Sequence, residues 1–269
     1  MAGSSPDAGV TAPAARIVTA VTAMAAGILA SLVVGGIVVA AGGWDVDVSA
    51  ADGADFGRVV GQYGVGAPLD HNRIPLWVAL LLNLPLWAAF LGVPAVAARQ
   101  GRLEWRRDLG WRMRPIDAPI GLAIGVAVQV VLVPLLYLPI LTWIDDADVE
   151  GPARDLVAAA TSPVDVVALV VLTVVGAPLA EEVVYRGLLF RGIADLEADR
   201  GRLGLTLAVV ASAAVFAASH FQPLQFPGLF VLGALLALAV RATGRLAGAI
   251  WIHAGFNATT VVVLLPELT

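Results

Sequence analysis

Residues 17–42 read IVTAVTAMAAGILASLVVGGIVVAAG and contain no charged side chain. A bilayer's hydrocarbon core takes about 20 apolar residues of α-helix to cross, so this stretch is long enough to span it. It is too long for the apolar core of a signal peptide, and the basic residue before it, Arg16, makes a poor n-region. It therefore reads as a retained first span. The rest of the chain agrees: its 269 residues are 59% hydrophobic and 14% charged, where a soluble domain carries about a quarter charged residues. The mean hydropathy is +0.87.

Further apolar runs follow at 74–97, 118–143, 164–190, 204–220, 224–240 and 246–265. These predict an all-α polytopic bundle of about seven spans, with the short fifth and sixth runs setting a range of six to eight. The connections alternate in charge. Residues 43–73 carry Asp45, Asp47, Asp52, Asp55 and Asp70, whereas 98–117 carry Arg99, Arg102, Arg106, Arg107, Arg112 and Arg114. An acidic loop with Asp145, Asp146, Asp148, Glu150 and Asp155 comes next, and Arg191, Arg200, Arg202, Arg241 and Arg245 mark later turns. Under the positive-inside rule this alternation predicts an integral plasma-membrane protein with a cytoplasmic N-terminus. Trp44, Trp77 and Trp143 fall at the expected outer span ends, where an aromatic belt sits. The arginine-rich stretch with Trp105 and Trp111 reads either as a short amphipathic helix on the interface or as a solvated basic loop.

Residues 1–15 are small, polar and proline-containing, and read as a disordered tail; 16–269 form a single transmembrane domain. With no cysteine in the chain, disulfides, thiolate metal sites and cysteine nucleophiles are excluded. All 16 basic residues are arginine, but they form no basic stripe on a soluble domain, so no nucleic-acid partner is expected. The abundant Ala, Val and Arg and the absence of Lys point to a GC-rich bacterial genome.

Ionisable residues inside spans are costly and mark function. Three short groups stand out. In Ala180–Gly187, AEEVVYRG, Glu182 and Arg186 are one helical turn apart and can pair. Glu181 points roughly 100° away and must find a partner on another helix or in water. Desolvation raises the pKa of such an acid toward that of a general base or acid, and Pro178 is expected to kink the helix beside it. Phe216 and His220 share a face of FAASH. His253 and Asn257 are one turn apart in HAGFN. Counted from Arg191 and Arg245 at about 1.5 Å per residue, Glu181 and His253 lie at similar depths, roughly 12–15 Å in. His220, counted from Arg202, lies roughly 27 Å in, which requires a tilted or displaced fifth span if it joins them.

Other peptidase chemistries leave traces that are missing. There is no HExxH zinc motif. Asp117 and Asp165 sit at span ends, so no aspartate pair shares a proton in the membrane. Ser212 and Ser219 lack a glycine-flanked nucleophile motif, and Ser219 directly precedes His220. Carboxylate and imidazole acting on water remain.

EEVVYRG, FAASH and HAGFN, in this order on three predicted helices, resemble the EExxxR, FxxxH and Hxxx(N/D) motifs of the CPBP family. This is the CAAX-protease and bacteriocin-processing family, also called Abi, whose members are intramembrane endopeptidases. Each motif is short; the ordered triplet is specific, and the likeness covers residues 120–265. It implies that Glu181 and His220 activate water and that His253 and Asn257 stabilise the oxyanion. Glu182 and Arg186 would support the site, with Tyr185 and Phe216 as its walls. The same Glu181, His220 and His253 would be the ligands if the enzyme used Zn²⁺, a ligand set found in zinc hydrolases; otherwise no cofactor is needed. The expected partners are the lipid bilayer and a protein or peptide substrate. A prenylated substrate fits poorly with a bacterial source, and the oligomeric state is open. The alternatives are a non-enzymatic immunity or scaffold protein of the same fold and a proton- or metal-coupled transporter. Transport is disfavoured because no internal repeat is evident and the polar groups cluster in three helices.

Overall fold

The computed structural model describes residues 12–42, 75–142 and 148–265. Among these the chain forms helices α1 (Ala12–Gly42), α2 (Leu76–Arg99), α3 (Trp105–Asp108), α4 (Asp117–Leu141) and α5 (Gly151–Ala158), with no strand. Then come α6 (Pro163–Leu196), α7 (Arg202–Ala218), α8 (Phe226–Thr243) and α9 (Leu246–Leu264). Six of them, α1, α2, α4, α6, α8 and α9, are long and apolar enough to cross a membrane; α7 is apolar but shorter. All seven expected spans therefore exist as helices, and the fifth is the short one. Their outer faces are apolar, with Leu29 and Val167 more than half exposed, as helices that face lipid require.

Several local details differ from the sequence reading. Helix α1 begins at Ala12, so 12–15 are helical rather than part of the tail. Of the two readings of the arginine-rich stretch, only a four-residue helix forms, Trp105–Asp108, with Trp105 and Trp111 packed edge to face at 5.5 Å. The acidic connection before α6 contains a helix, α5, that its polarity concealed. Trp77 is exposed at the start of α2; Trp44 and Trp143 lie outside the described residues, as do 1–11.

Prolines shape the two central helices. In α4 a π-helical stretch, Val128–Leu132, ends two residues before Pro134; in α6 another, Val171–Gly176, ends two before Pro178. A proline ring crowds the preceding turn and donates no hydrogen bond; the wider π turn, with its i→i+5 pairing, accommodates both effects. A third π stretch, Val183–Phe190, follows the two glutamates directly.

Close packing between α4 and α9 fixes the height of α9. Gly121 and Gly125 form a small-xxx-small face on α4, the spacing that lets membrane helices touch backbone to backbone. A Cβ at Gly125 would lie 2.2 Å from the Ile252 carbonyl oxygen, and one at Gly255 would lie 2.8 Å from the Leu122 carbonyl oxygen.

The arginine-bearing connections converge at one end of the bundle, as their alternation predicts. Arg16 pairs with Asp195 and reaches the Asp108 carbonyl. Arg191 donates to the Gly244 carbonyl at 2.8 Å. Arg245 forms a two-pronged pair with Asp117. Gly110, at φ +71°, leaves room for the Arg191 guanidinium and accepts from the Leu246 N–H.

Substituting Gly125→Leu is expected to lower stability in a detergent melt by at least ~1–3 kcal/mol, the cost of overpacking a tight interface. Gly92→Leu, where nothing lies within 4 Å of an added Cβ, should melt like the wild type.

Candidate active site

The site is built where α6, α7 and α9 meet. On α6, Glu181 and Glu182 stand in a short α-helical segment between two π stretches, and every residue of Val183–Phe190 is buried. Arg186, one turn on, is consequently without solvent. It donates from Nη1 to Glu182 Oε1 at 2.8 Å, both side chains being fully buried, and its guanidinium lies 4.2 Å from the centre of the Phe216 ring on α7. A buried charge needs a partner, and this pair, with the cation on an aromatic face, meets the need within two helices.

Helix α9 supplies the second partner. His253 Nδ1 lies 2.9 Å from the same Glu182 oxygen. An ionised carboxylate only accepts, so Nδ1 carries a proton, and the ring turns Nε2 toward Glu181, 4.0 Å from its Oε2. The two glutamates thus differ in environment. Glu182 is sealed at 0% exposure, whereas the Glu181 side chain is 16% exposed. Its Oε2 has no hydrogen-bond partner among the described residues. On the neighbouring helix it faces His253 without a direct hydrogen bond, and this approach puts the two residues at similar depths.

His220 follows α7 in a turn. Its ring packs on Phe216 with centroids 4.8 Å apart, and His253 packs on that phenyl ring too, at 5.7 Å. The two imidazoles are therefore neighbours across one aromatic ring. The depth count put Arg191 and Arg202 at one level, which accounts for part of the depth it gave His220. Helix α6 continues past Arg191 to Leu196, so α7 starts roughly 8 Å further out. His220 Nδ1 bonds the Phe216 carbonyl at 2.7 Å, leaving Nε2 uncommitted. No ion pair joins His220 to Glu181 among the described residues. The next residue, Phe221, has φ +53°, an unusual conformation for a bulky side chain that turns the chain immediately after the histidine.

The rings of Tyr185 and Phe216 meet edge to face at 5.4 Å, and Phe90 of α2 covers Tyr185 at 6.1 Å. The Tyr185 hydroxyl donates to Ser219 Oγ, which in turn donates to the Phe216 carbonyl, each at 2.8 Å. Ser212 donates to the Tyr185 carbonyl at 2.9 Å. Both serines are thus engaged in holding α6 to α7, consistent with the exclusion of a serine nucleophile.

Asn257 plays a part that the sequence reading missed. Its side-chain amide donates to the Thr173 carbonyl at 2.7 Å. Thr173 lies in the π stretch before Pro178, and the i→i+5 partner of its carbonyl would be the nitrogen of Pro178, which has no hydrogen. Asn257 fills that gap and locks α9 to α6, leaving one N–H of the amide. The proline five residues after Thr173 was the available signal.

Among the described residues no group of three or more His, Asp or Glu side chains that could hold a metal ion is gathered. His253 and His220 each have Nδ1 hydrogen-bonded and Nε2 free, the orientation that an imidazole ligand also takes.

No curated protein and no solved structure matches the chain. Residues 163–259, which run from α6 into α9 and include all three motifs, match the family described as type II CAAX prenyl endopeptidase, Rce1-like. The match is consistent with the CAAX-protease family that the motifs resemble, and at that level it supports an intramembrane endopeptidase.

Proposed function

We propose that the chain hydrolyses a peptide bond of a membrane-associated protein or peptide, with water activated by Glu181 and His220 and the oxyanion stabilised by His253 and Asn257. The observation that carries this reading is the unpartnered Glu181 Oε2, 4.0 Å from a His253 Nε2 whose direction is fixed by Glu182. That gap is too long for a direct hydrogen bond, and the Glu181 side chain, 16% exposed, is the more open of the two glutamates.

Glu181 takes a proton from the water while the oxygen forms a bond to the scissile carbonyl carbon. The C=O electron pair moves onto its oxygen, which accepts from His253 Nε2–H and from the remaining N–H of Asn257. His253 is oriented for this donation by the hydrogen bond from its Nδ1–H to Glu182. The intermediate collapses by breaking the C–N bond, and Glu181 returns its proton to the leaving amine. His220 keeps Nε2 free for a second contact to the water. A preorganised oxyanion donor contributes about 3–4 kcal/mol. The chain's own residues account for each proton transfer, and no step runs through a metal.

Glu181→Gln is expected to lower cleavage products in terminal proteomics of membrane fractions by at least ~100-fold, with an unchanged melting temperature. Identical profiles for wild type and variant would instead favour the immunity or scaffold reading. Glu182→Gln should reduce both products and stability, by roughly 3–5 kcal/mol, because it leaves Arg186 buried without a counter-charge. Treating membranes with a zinc chelator should leave the cleavage profile intact; loss restored by added Zn²⁺ would show that the metal is required.

A further inference from the structure

At the arginine-rich end of the bundle a cavity of about 270 Å³ is lined by Arg106, Arg112, Arg114 and Arg245, with Met113 and Gly244 between them. It is separate from the candidate active site: Arg245 precedes His253 by eight residues on α9, or roughly 12 Å along the helix. Arg245 is neutralised by its two-pronged pair with Asp117. The other three differ. All are exposed, and among the described residues none of their guanidinium groups forms a hydrogen bond or an ion pair within 4 Å. Nearby acids are already taken: Asp108 by Arg107 and Arg16, Glu104 by Arg107, and Asp117, whose charge also acts on Arg114, by Arg245. Three unneutralised guanidinium groups around one concavity repel one another and favour an anion with several acceptor oxygens. Phosphate suits them best, because a guanidinium binds it through two parallel hydrogen bonds.

The rim identifies what carries the phosphate. Trp111 is 40% exposed, Met113 64% and Ile116 54%, and the apolar surface continues through Ile120, 51% exposed, onto the outer face of α4. A soluble anion needs no apolar ramp. A phospholipid does: its phosphate meets the arginines while its acyl chains run down the helix, and an indole at the rim sits at headgroup level. Basic pockets at helix ends are recognised lipid headgroup sites. We infer that Arg106, Arg112 and Arg114 form a binding site for the phosphate headgroup of an anionic phospholipid, with Trp111, Met113 and Ile116 seating the first part of its acyl chains.

The test uses the purified full chain in phosphatidylcholine nanodiscs, with phosphatidylglycerol added as the probe. Phosphatidylglycerol should raise the melting temperature of the wild type and remain bound in native mass spectrometry. The triple variant Arg106→Gln, Arg112→Gln, Arg114→Gln should melt like the wild type in phosphatidylcholine, since these side chains are exposed and Asp117 keeps its two-pronged pair with Arg245 when the Arg114 charge is gone. It should bind phosphatidylglycerol ~100-fold more weakly, at about fivefold per arginine near an anionic lipid. A control triple with the same charge change, Arg99→Gln, Arg102→Gln, Arg241→Gln, should keep the lipid. The assignment is overturned if the pocket variant retains the full shift and the bound lipid, or if the control loses as much, which would mean diffuse surface charge. It is likewise overturned if inorganic phosphate alone reproduces the shift, which would make the ligand a soluble anion.

Discussion

The core of this membrane bundle depends on one buried carboxylate. Glu182 is sealed from solvent, and an unpaired charge in that position would oppose folding. Its Oε1 accepts from Arg186 on its own helix and from His253 on α9, at 2.8 and 2.9 Å, while Arg186 spreads its charge over Phe216 of α7. One oxygen thereby ties three helices together at a single level. It also separates the chemistry of two adjacent glutamates. Glu182 is held by two donors at Oε1 and fully buried, whereas the Glu181 side chain is 16% exposed; the Oε2 atom of each has no hydrogen-bond partner among the described residues.

The backbone around this centre is arranged by residues that remove groups rather than add them. Pro134 and Pro178 each remove a donor, and π stretches precede both. At the second, the Asn257 amide bonds the Thr173 carbonyl that Pro178 cannot serve. Gly121, Gly125 and Gly255 remove side chains, so that α4 and α9 meet along their backbones. His253 and Asn257 therefore stand on a helix clamped from both sides. A polar group in lipid must find its partner inside the protein, and at this site each accommodation also positions a candidate catalytic side chain.

Much of the fold was legible from composition. Charge-free runs set the spans, and alternating arginine and aspartate loops set which ends lie together, because lipid imposes the same demand at every position along a helix. Missed elements were small or polar: α5 hidden in an acidic connection, and the glycine face of α4, which could have been read from the spacing of Gly121 and Gly125. Glu182 with Arg186 could be paired from sequence because they are one turn apart on one helix. The link from Glu182 to His253 could not, since the two are far apart in the chain and helical periodicity says nothing of facing helices.

The sequence by itself determined the helical membrane architecture, the three polar groups and the fact that the two glutamates point different ways. These follow from local rules: the length of a span, the pitch of a helix and the cost of charge in lipid. Only the tertiary structure decided which glutamate is left open and that His253, rather than His220, faces it. It also decided that His220 meets the site across the Phe216 ring and that part of Asn257 is spent on the backbone of α6. Those outcomes depend on where each helix starts and how closely its neighbours approach, quantities set by packing across the bundle rather than by spacing along the chain.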